Sequence, residues 1–441
     1  VVLNYNGGEL TLRCLRSLRT VDWPPDRLEV VLVDNASTDG LVARVVEELP
    51  EVRVVRSPVN AGFAGGCNLG MRDLEGIDYV ALVNSDATVD RGWLAPLVDA
   101  LEADPDAGAS CSKILFDGAF VELAVDAPTI RPGRGDGRAL GVRVSGARVD
   151  GRDVSRRVQF VEGFWGPEPD EGGEAGFQWS AGHAVLRVPV PECGDRAPGC
   201  ELRLSAESDL AATVSSGQHH TDVEVGPRAR WHPVRLGGER LDVVNNVGTE
   251  LRADGHAADR GYLEPDRGQY DAPAEVFAWC GASVLLSTRY LQSVGRFDER
   301  LFLYYEDVDL SWKGQLRGWH HRYVPASVVR HVHSATIDEA SATSHYYKER
   351  NRLLTLTRHA PAAIALRAVV SHVLVTASYA RRDVVSPMLR GRRPRPEIVR
   401  RRLRAEGAFA RLLPATLASR SRGRATSAAR REVVRRWAGR G

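Results

Sequence analysis

Two hydrophobic periodicities alternate along the first hundred residues. Val1 to Tyr5, Leu28 to Asp34, Val52 to Arg56 and Tyr79 to Asn84 are short apolar runs that read as buried strands. Between them, apolar residues recur at helical spacing from Glu9 to Thr20, from a Ser37-Thr38-Asp39 cap to about Leu49, from about Phe63 to Leu74, and from about Gly92 to Ala103. Strands separated by helices of this length predict an α/β chain with a parallel, doubly wound sheet. Ligands of such sheets bind beyond the carboxyl ends of the strands. Those ends carry Asn4-Tyr5-Asn6, Asp34-Asn35-Ala36-Ser37 and Asn84-Ser85-Asp86, which points to a nucleotide-type site.

The pattern changes near residue 118. From there to residue 240 the chain is turn-rich, with short alternating segments such as Ala184 to Val190, Glu201 to Ser205 and Thr221 to Val225. This predicts an inserted β-sandwich-like module, which could extend a ligand site or mediate dimerisation. Its Trp165, Trp179 and Trp231 could stack on sugars, but tryptophans more often serve a core or an interface, and the structural reading is favoured.

Beyond the insertion, Tyr304-Tyr305-Glu306-Asp307-Val308-Asp309-Leu310-Ser311-Trp312 sets three carboxylates among apolar and aromatic residues. Burying a carboxylate without a partner is costly, so these acids are expected to face a cleft, a cation or a polar substrate. Ala360 to Ala380 is apolar but interrupted by Arg367 and His372, which argues against a spanning helix.

Charge separates the C-terminus from the rest. Residues 381–441 hold nineteen arginines and four acids, a net of +15, which leaves −13 for residues 1–380 of a chain whose total is +2. Such a tail suits an anionic surface, and after an apolar helix it predicts either peripheral contact with phospholipid or a packed helix with a solvated tail. Six scattered cysteines lack metal-type spacing; Cys193 and Cys200 could close a small loop, but free thiols are the simpler reading. The chain opens inside a strand without an initiator methionine, so a few residues are expected to precede Val1, and no signal peptide is read.

No GxGxxG follows the first strand and no GxxxxGK[ST] occurs. The glycine-rich piece comes later, as Asn60-Ala61-Gly62-Phe63-Ala64-Gly65-Gly66-Cys67-Asn68-Leu69-Gly70. It suits either a phosphate at a helix N-terminus or close helix packing. In order along the chain, Val2-Leu3-Asn4-Tyr5-Asn6-Gly7, Val33 to Gly40, Asn60 to Gly70, Leu82 to Ala87, Trp279-Cys280-Gly281-Ala282, Gly295 to Glu299 and Tyr304 to Trp312 resemble the GT-A fold of family 2 inverting glycosyltransferases. Within that family the closest likeness is to the bacterial rhamnosyltransferase and galactofuranosyltransferase branch. The resemblance implies a discontinuous catalytic core at residues 1–117 and 241–358, interrupted by the 118–240 module and followed by a helical, basic tail at 359–441.

The resemblance also implies roles. Asn4, Tyr5, Asn6, Asp34, Asn35, Asn60, Gly62, Asn68, Asn84 and Ser85 would line the donor side. Asn84-Ser85-Asp86 stands where the family has DxD, so Asp86, with His331, would hold Mg²⁺ or Mn²⁺. Asp307 would be the base, Trp279, Gly281 and Glu306 would meet the acceptor, and Asp309 could instead brace its helix. An arginine of Arg350-Asn351-Arg352 could contact a diphosphate or be a surface charge. The implied partners are dTDP-rhamnose, or else a UDP-sugar, with a glycan or lipid-linked acceptor and no nucleic acid. The implied place is cytoplasmic, peripheral to the inner face of the plasma membrane. Two rivals are a sugar nucleotidyltransferase and a non-catalytic carbohydrate-binding protein; the first would need a Lys- or Arg-bearing loop after the first strand, where Asn4-Tyr5-Asn6-Gly7-Gly8-Glu9 stands.

Overall fold

The computed structural model describes residues 1–441 except 134–135, 169–175, 192–197, 334–340, 424 and 440–441. The chain divides into two compact units: residues 1–115, 245–262 and 268–441, and residues 116–244 with 263–267.

The first unit is built on a mixed sheet. Strands β1 (Val2–Asn4), β2 (Val31–Asp34), β3 (Arg53–Arg56) and β4 (Tyr79–Asn84) run parallel in the order β4-β1-β2-β3. All four residues of β2 are buried, as expected of a strand covered on both faces. The doubly wound pattern stops at β4, whose other edge pairs antiparallel with Ser283–Ser287. Beyond that lie Ala107–Phe116, His320–His331 and Ala274–Glu275. Helices Gly8–Arg19, Leu41–Glu48, Gly62–Gly70 and Leu94–Glu102 connect the early strands.

The glycine-rich helix Gly62–Gly70 packs unusually close to the sheet. A Cβ on Gly66 would fall 2.2 Å from Leu3 Cδ1, and one on Gly70 2.5 Å from Val1 Cγ1. Its N-terminus is already occupied by the chain itself. The Phe302 carbonyl accepts from Phe63 N at 2.7 Å and Ala64 N at 3.3 Å, and a Cβ on Gly62 would collide with that carbonyl. Of the two sequence readings of this segment, the structure shows the close packing.

The C-terminal helices Ala342–His359, Ala362–Ala380, Glu397–Arg422 and Ser427–Trp437 belong to the same unit. The arginine-rich end is folded into helices, with most of its arginines exposed and Arg402 and Arg430 buried. Arg430, 3% exposed, donates to the carbonyls of Arg358 and His359 at 2.6 and 2.8 Å, and Trp437 Nε1 reaches Gln315 Oε1 at 3.2 Å. These carbonyls end a helix, where guanidinium groups satisfy otherwise orphaned acceptors. The stretch Ala362–Leu389 is long and apolar enough to cross a membrane by length and composition, and 22% of its most apolar window is buried.

The second unit is antiparallel throughout. The long strand Gln178–Val190 pairs with Ala119–Asp126 along one part and with Arg143–Val149 at its start, so it belongs to two groups of strands. Both groups contribute to one apolar core, including Leu123, Val125 and Leu186 with Val144, Leu202 and Leu204. The tryptophans expected to be structural are covered by arginines: Arg143 lies over Trp179 at 4.4 Å, Arg148 over Trp231 at 4.0 Å and Arg138 over Trp165 at 5.9 Å. Cys200 is buried with a free thiol; Cys193, its suggested partner, lies outside the described residues.

Candidate active site

A cavity of about 990 Å³ opens at the carboxyl ends of β1, β2 and β4. Asn84, Ser85 and Asp86 reach it directly from the end of β4. His331 reaches it by strand pairing. The strand His320–His331 runs antiparallel to Ala87–Val89, with His331 opposite Ala87, which places the ring beside Asp86. The Val332 amide donates to the Asp86 carbonyl at 3.0 Å and fixes the register. Sequence spacing places His331 just after a strand; in the structure it is the strand's last residue.

The pair has a defined geometry. His331 Nε2 lies 3.0 Å from Asp86 Oδ1, and Nδ1 lies 2.9 Å from Asn245 Oδ1. With Nδ1 turned to Asn245, a proton on Nε2 bridges to the Asp86 carboxylate, and its loss would leave an imidazole nitrogen and a carboxylate oxygen converging on one point. Two electron-rich atoms so placed suit a cation, and their oxygen and imidazole donors fit Mn²⁺ or, less closely, Mg²⁺. Asp86 is acidified: burial opposes its charge, but His331 outweighs that and lowers its pKa. Among the described residues no group of three or more His, Cys, Asp or Glu gathers as a metal cluster. A cation here would complete its shell with waters and substrate phosphates, as Mg²⁺ sites commonly do.

Asp307 and Glu306 line the same cavity from the start of helix Glu306–Gln315. The approach to that helix is strained, because Phe302, Tyr304 and Tyr305 have φ of 62°, 65° and 70°. Side chains seldom adopt this region, and it persists only where surroundings enforce it. Asn351 supplies the enforcement. Its Nδ2 donates to the carbonyls of Leu301, Leu303 and Tyr304 at 2.7, 2.8 and 2.7 Å, and Arg350 donates to those of Arg300 and Leu301. Arg350 is thus neither a diphosphate contact nor a surface charge, the two roles its sequence position suggests.

The three acids differ sharply. Burial raises the Asp307 pKa, and Asp259 adds to the rise, while the amides of Val308 and Gly281 oppose it. Burial and neighbouring Asp307 push Glu306 far up, and its enclosed Oε2 has no hydrogen-bond partner. Asp309 goes the other way: burial opposes its charge, yet Arg358 and His359 hold its carboxyl well below the usual range. Arg358 Nη1 meets both Asp309 oxygens at 2.7 Å, His359 Nε2 meets one at 2.9 Å, and Arg358 also pairs with Asp298. Asp309 therefore braces the helix, the second of its two sequence readings.

The predicted donor residues separate into two groups. Tyr5, Asn35, Asn60, Gly62, Asn84 and Ser85 line the cavity. Asn4, Asn6, Asp34 and Asn68 do not, and their side chains hold local structure. Asn4 bonds Ser37 at 2.8 Å and Thr11 at 2.8 Å, and Asp34 Oδ1 accepts from Asn4 and the Ser37 amide. Asn6 Oδ1 accepts from Thr38 N at 2.7 Å, and Asn68 ties the Phe297 carbonyl and Glu299. On the acceptor side Gly281 lines the cavity, but Trp279 is fully enclosed and edge-on to Phe297 at 6.1 Å. Trp279 is a core residue, packed among Phe277, Ala278 and Phe297, all buried. Sequence reasoning missed Asn245 and Asp259. For Asn245 the available signal was an amide pair inside the apolar run Val243-Val244-Asn245-Asn246-Val247.

Comparison with known proteins is consistent across the first unit. The model of "Glycosyl transferase family 2" matches residues 1–136, and that of "Glycosyl transferase family group 2" matches residues 243–384. Two Mycobacterium tuberculosis strains (CDC 1551 / Oshkosh and H37Rv) carry a relative named N-acetylglucosaminyl-diphospho-decaprenol L-rhamnosyltransferase, 39% identical over 226 residues, which are 47% of this chain and 69% of the relative. Among solved structures, GalNAc-T7 with UDP, GalNAc and Mn²⁺ is 13% identical with a TM-score of 0.44, covering 81% of this chain and 47% of that one. A mannosyltransferase of Pyrobaculum calidifontis with GDP-Man and Mn²⁺ is 15% identical with a TM-score of 0.35, covering 97% and 74%.

Proposed function

The chain belongs to glycosyl transferase family 2, and from that premise we propose that it moves rhamnose from dTDP-rhamnose to a hydroxyl of a lipid-linked cell-envelope glycan, with inversion. UDP-galactofuranose is the alternative donor. The observation that carries this reading is the meeting of Asp86 and His331 with Asp307 on the wall of one cavity. The name of the Mycobacterium tuberculosis relative supports both the sugar and the lipid-linked acceptor.

Each group has a task in a single displacement. Tyr5, Asn35, Asn60, Asn84 and Ser85 would orient the nucleotide sugar. Asp86 and His331 would hold Mn²⁺ or Mg²⁺, which when bound neutralises charge developing on the nucleoside diphosphate leaving group. Asp307 accepts the proton of the acceptor hydroxyl as its oxygen bonds to the anomeric carbon and the bond to the diphosphate oxygen breaks. A carboxylate whose pKa is raised towards neutrality is a stronger base than an ordinary one, and the helix N-terminus beneath it keeps it ionised at neutral pH. Glu306 would bond the acceptor. The enzyme would work at the cytoplasmic face of the membrane, where the apolar helix Ala362–Ala380 and the following arginines would contact anionic lipid.

Calorimetric titration with dTDP-rhamnose, UDP-galactofuranose, UDP-galactose and GDP-mannose, in Mn²⁺ and in EDTA, tests the reading. Binding of dTDP-rhamnose that needs the ion is expected. Absence of any nucleotide sugar binding would overturn the donor assignment.

A further inference from the structure

The wall of the cavity formed by helices Ala342–His359 and Ala362–Ala380 carries cations that the catalytic reading leaves unused. Among the described residues, Arg352 and Arg367 make no ion pair. Arg352 donates only to the Asp254 carbonyl, at 3.3 Å, and its enclosed Nε has no partner; the Asp254 carboxylate is turned to His256 at 2.8 Å. Arg402 on the same wall is, by contrast, fully used, on Glu349 at 2.6 Å, Thr376 Oγ1 at 2.9 Å and the His372 carbonyl at 3.1 Å.

An apolar path leads outward from these arginines. A second hollow of about 370 Å³ shares Arg367, Ser371 and Val375 with the main cavity and continues past Val370 and Leu374. Val370 and Leu374 are 48% and 64% exposed, so this side of the helix is left uncovered among the described residues. Guanidinium groups that make no direct ion pair among the described residues, beside an apolar groove, complement an amphiphile whose anionic head is joined directly to hydrocarbon.

We propose that Arg352 and Arg367 bind the diphosphate of a polyprenyl-diphosphate-linked acceptor, and that the groove of Val370, Leu374 and Val375 takes its first isoprene units. The sugar attached to the diphosphate then extends along the cavity towards Asp307. Guanidinium groups recognise diphosphate with paired, charge-assisted hydrogen bonds, and a hydrocarbon chain in the groove removes exposed apolar surface from water. The inference rests on the glycosyltransferase reading with a lipid-linked acceptor and assigns the part of the cavity that reading leaves open.

The test is calorimetric titration of the full chain with farnesyl diphosphate, with dTDP and Mn²⁺ filling the donor side. Arg367→Gln should weaken farnesyl diphosphate roughly tenfold or more, the usual effect of losing a charge-assisted bond. The double variant Val370→Ser, Leu374→Ser should weaken farnesyl diphosphate while leaving inorganic diphosphate unchanged. These three positions are exposed, and unaltered dTDP binding confirms that each variant is folded. Equal affinity in wild type and variants would overturn the proposal, as would displacement of farnesyl diphosphate by dTDP. So would equally tight binding of dihexanoyl phosphatidylglycerol, which would make the surface a phospholipid contact. If no nucleotide binds the wild type, the failure lies in the donor reading, a result separable from loss on the acceptor side alone.

Discussion

His331 Nε2 stands 3.0 Å from Asp86 Oδ1 although 245 residues separate them in the chain. The antiparallel register of His331 with Ala87 creates this contact, and Asn245 orients the ring from its other side. If the pair holds the cation, Asp86→Asn should weaken nucleotide sugar binding in Mn²⁺ by at least about tenfold, the scale of one lost charge-assisted contact. It should also abolish the difference between Mn²⁺ and EDTA. His331→Ala should do the same to a smaller degree. Calorimetry in both buffers checks this; an intact Mn²⁺ requirement in Asp86→Asn would remove Asp86 from the ion site.

Asp307 gives a pH dependence of known sign. As the proposed base it would act ionised, and burial raises its pKa to about 6. Turnover should therefore climb with pH through that value and fall about tenfold per pH unit below it. Asp307→Asn should lower kcat by about 10²–10⁴, flatten the acid limb and spare donor binding. An unchanged acid limb in the variant would assign the proton to another group.

Asp309 is expected to matter for stability. Asp309→Ala leaves His359 without its anion and Arg358, 5% exposed, with Asp298 alone, at a cost of up to about 3–5 kcal/mol for a broken buried pair. The folded pKa of Asp309 is depressed, so its contribution is complete above the unfolded carboxylate value, about 4, and is lost as pH falls below it. Urea midpoints of wild type and variant should differ widely at pH 7 and converge on acidification. Coincident midpoints at pH 7 would show that the network carries no net stabilisation.

Asn351→Ala should uncouple the acid loop from its support. Three carbonyls lose a donor, at about 1–3 kcal/mol for each that stays buried and unpaired. Strain at Phe302, Tyr304 and Tyr305 would then relax, moving Asp307. Steady-state kinetics should show a larger fall in kcat than rise in donor KM. A change confined to donor KM would contradict this role.

The parallel part of the sheet was legible because β1 to β4 are short apolar runs closed by polar turns. The acids were legible because Glu306, Asp307 and Asp309 are improbable inside an apolar segment. Their separate fates were not, since Asp307 and Asp309 differ only in what packs on them from Arg358 and His359, half a hundred positions away in sequence. Trp279 misled because exposure of an aromatic depends on its neighbours' packing rather than on its type. Composition showed that the C-terminal end is arginine-rich but not which arginines turn inward: Arg402 and Arg430 are spent on the chain's own carbonyls and acids, while most of the others are exposed. Asn351 gave only a weak trace, a polar residue between two arginines on a helix.

The strand Ser283–Ser287 pairs with the edge of β4, and the whole antiparallel unit is encoded between them. During synthesis β4 must therefore emerge and wait, its edge unpaired, until that unit and the following segment have been translated. The antiparallel unit has almost all of its residues in hand by residue 244 and is free to collapse first. The catalytic unit is the later one to close, so its greatest risk of aggregation falls within ribosomal transit. Rare codons or a pause within the stretch encoding residues 245–287 would prolong that exposure without altering a single residue of the finished enzyme.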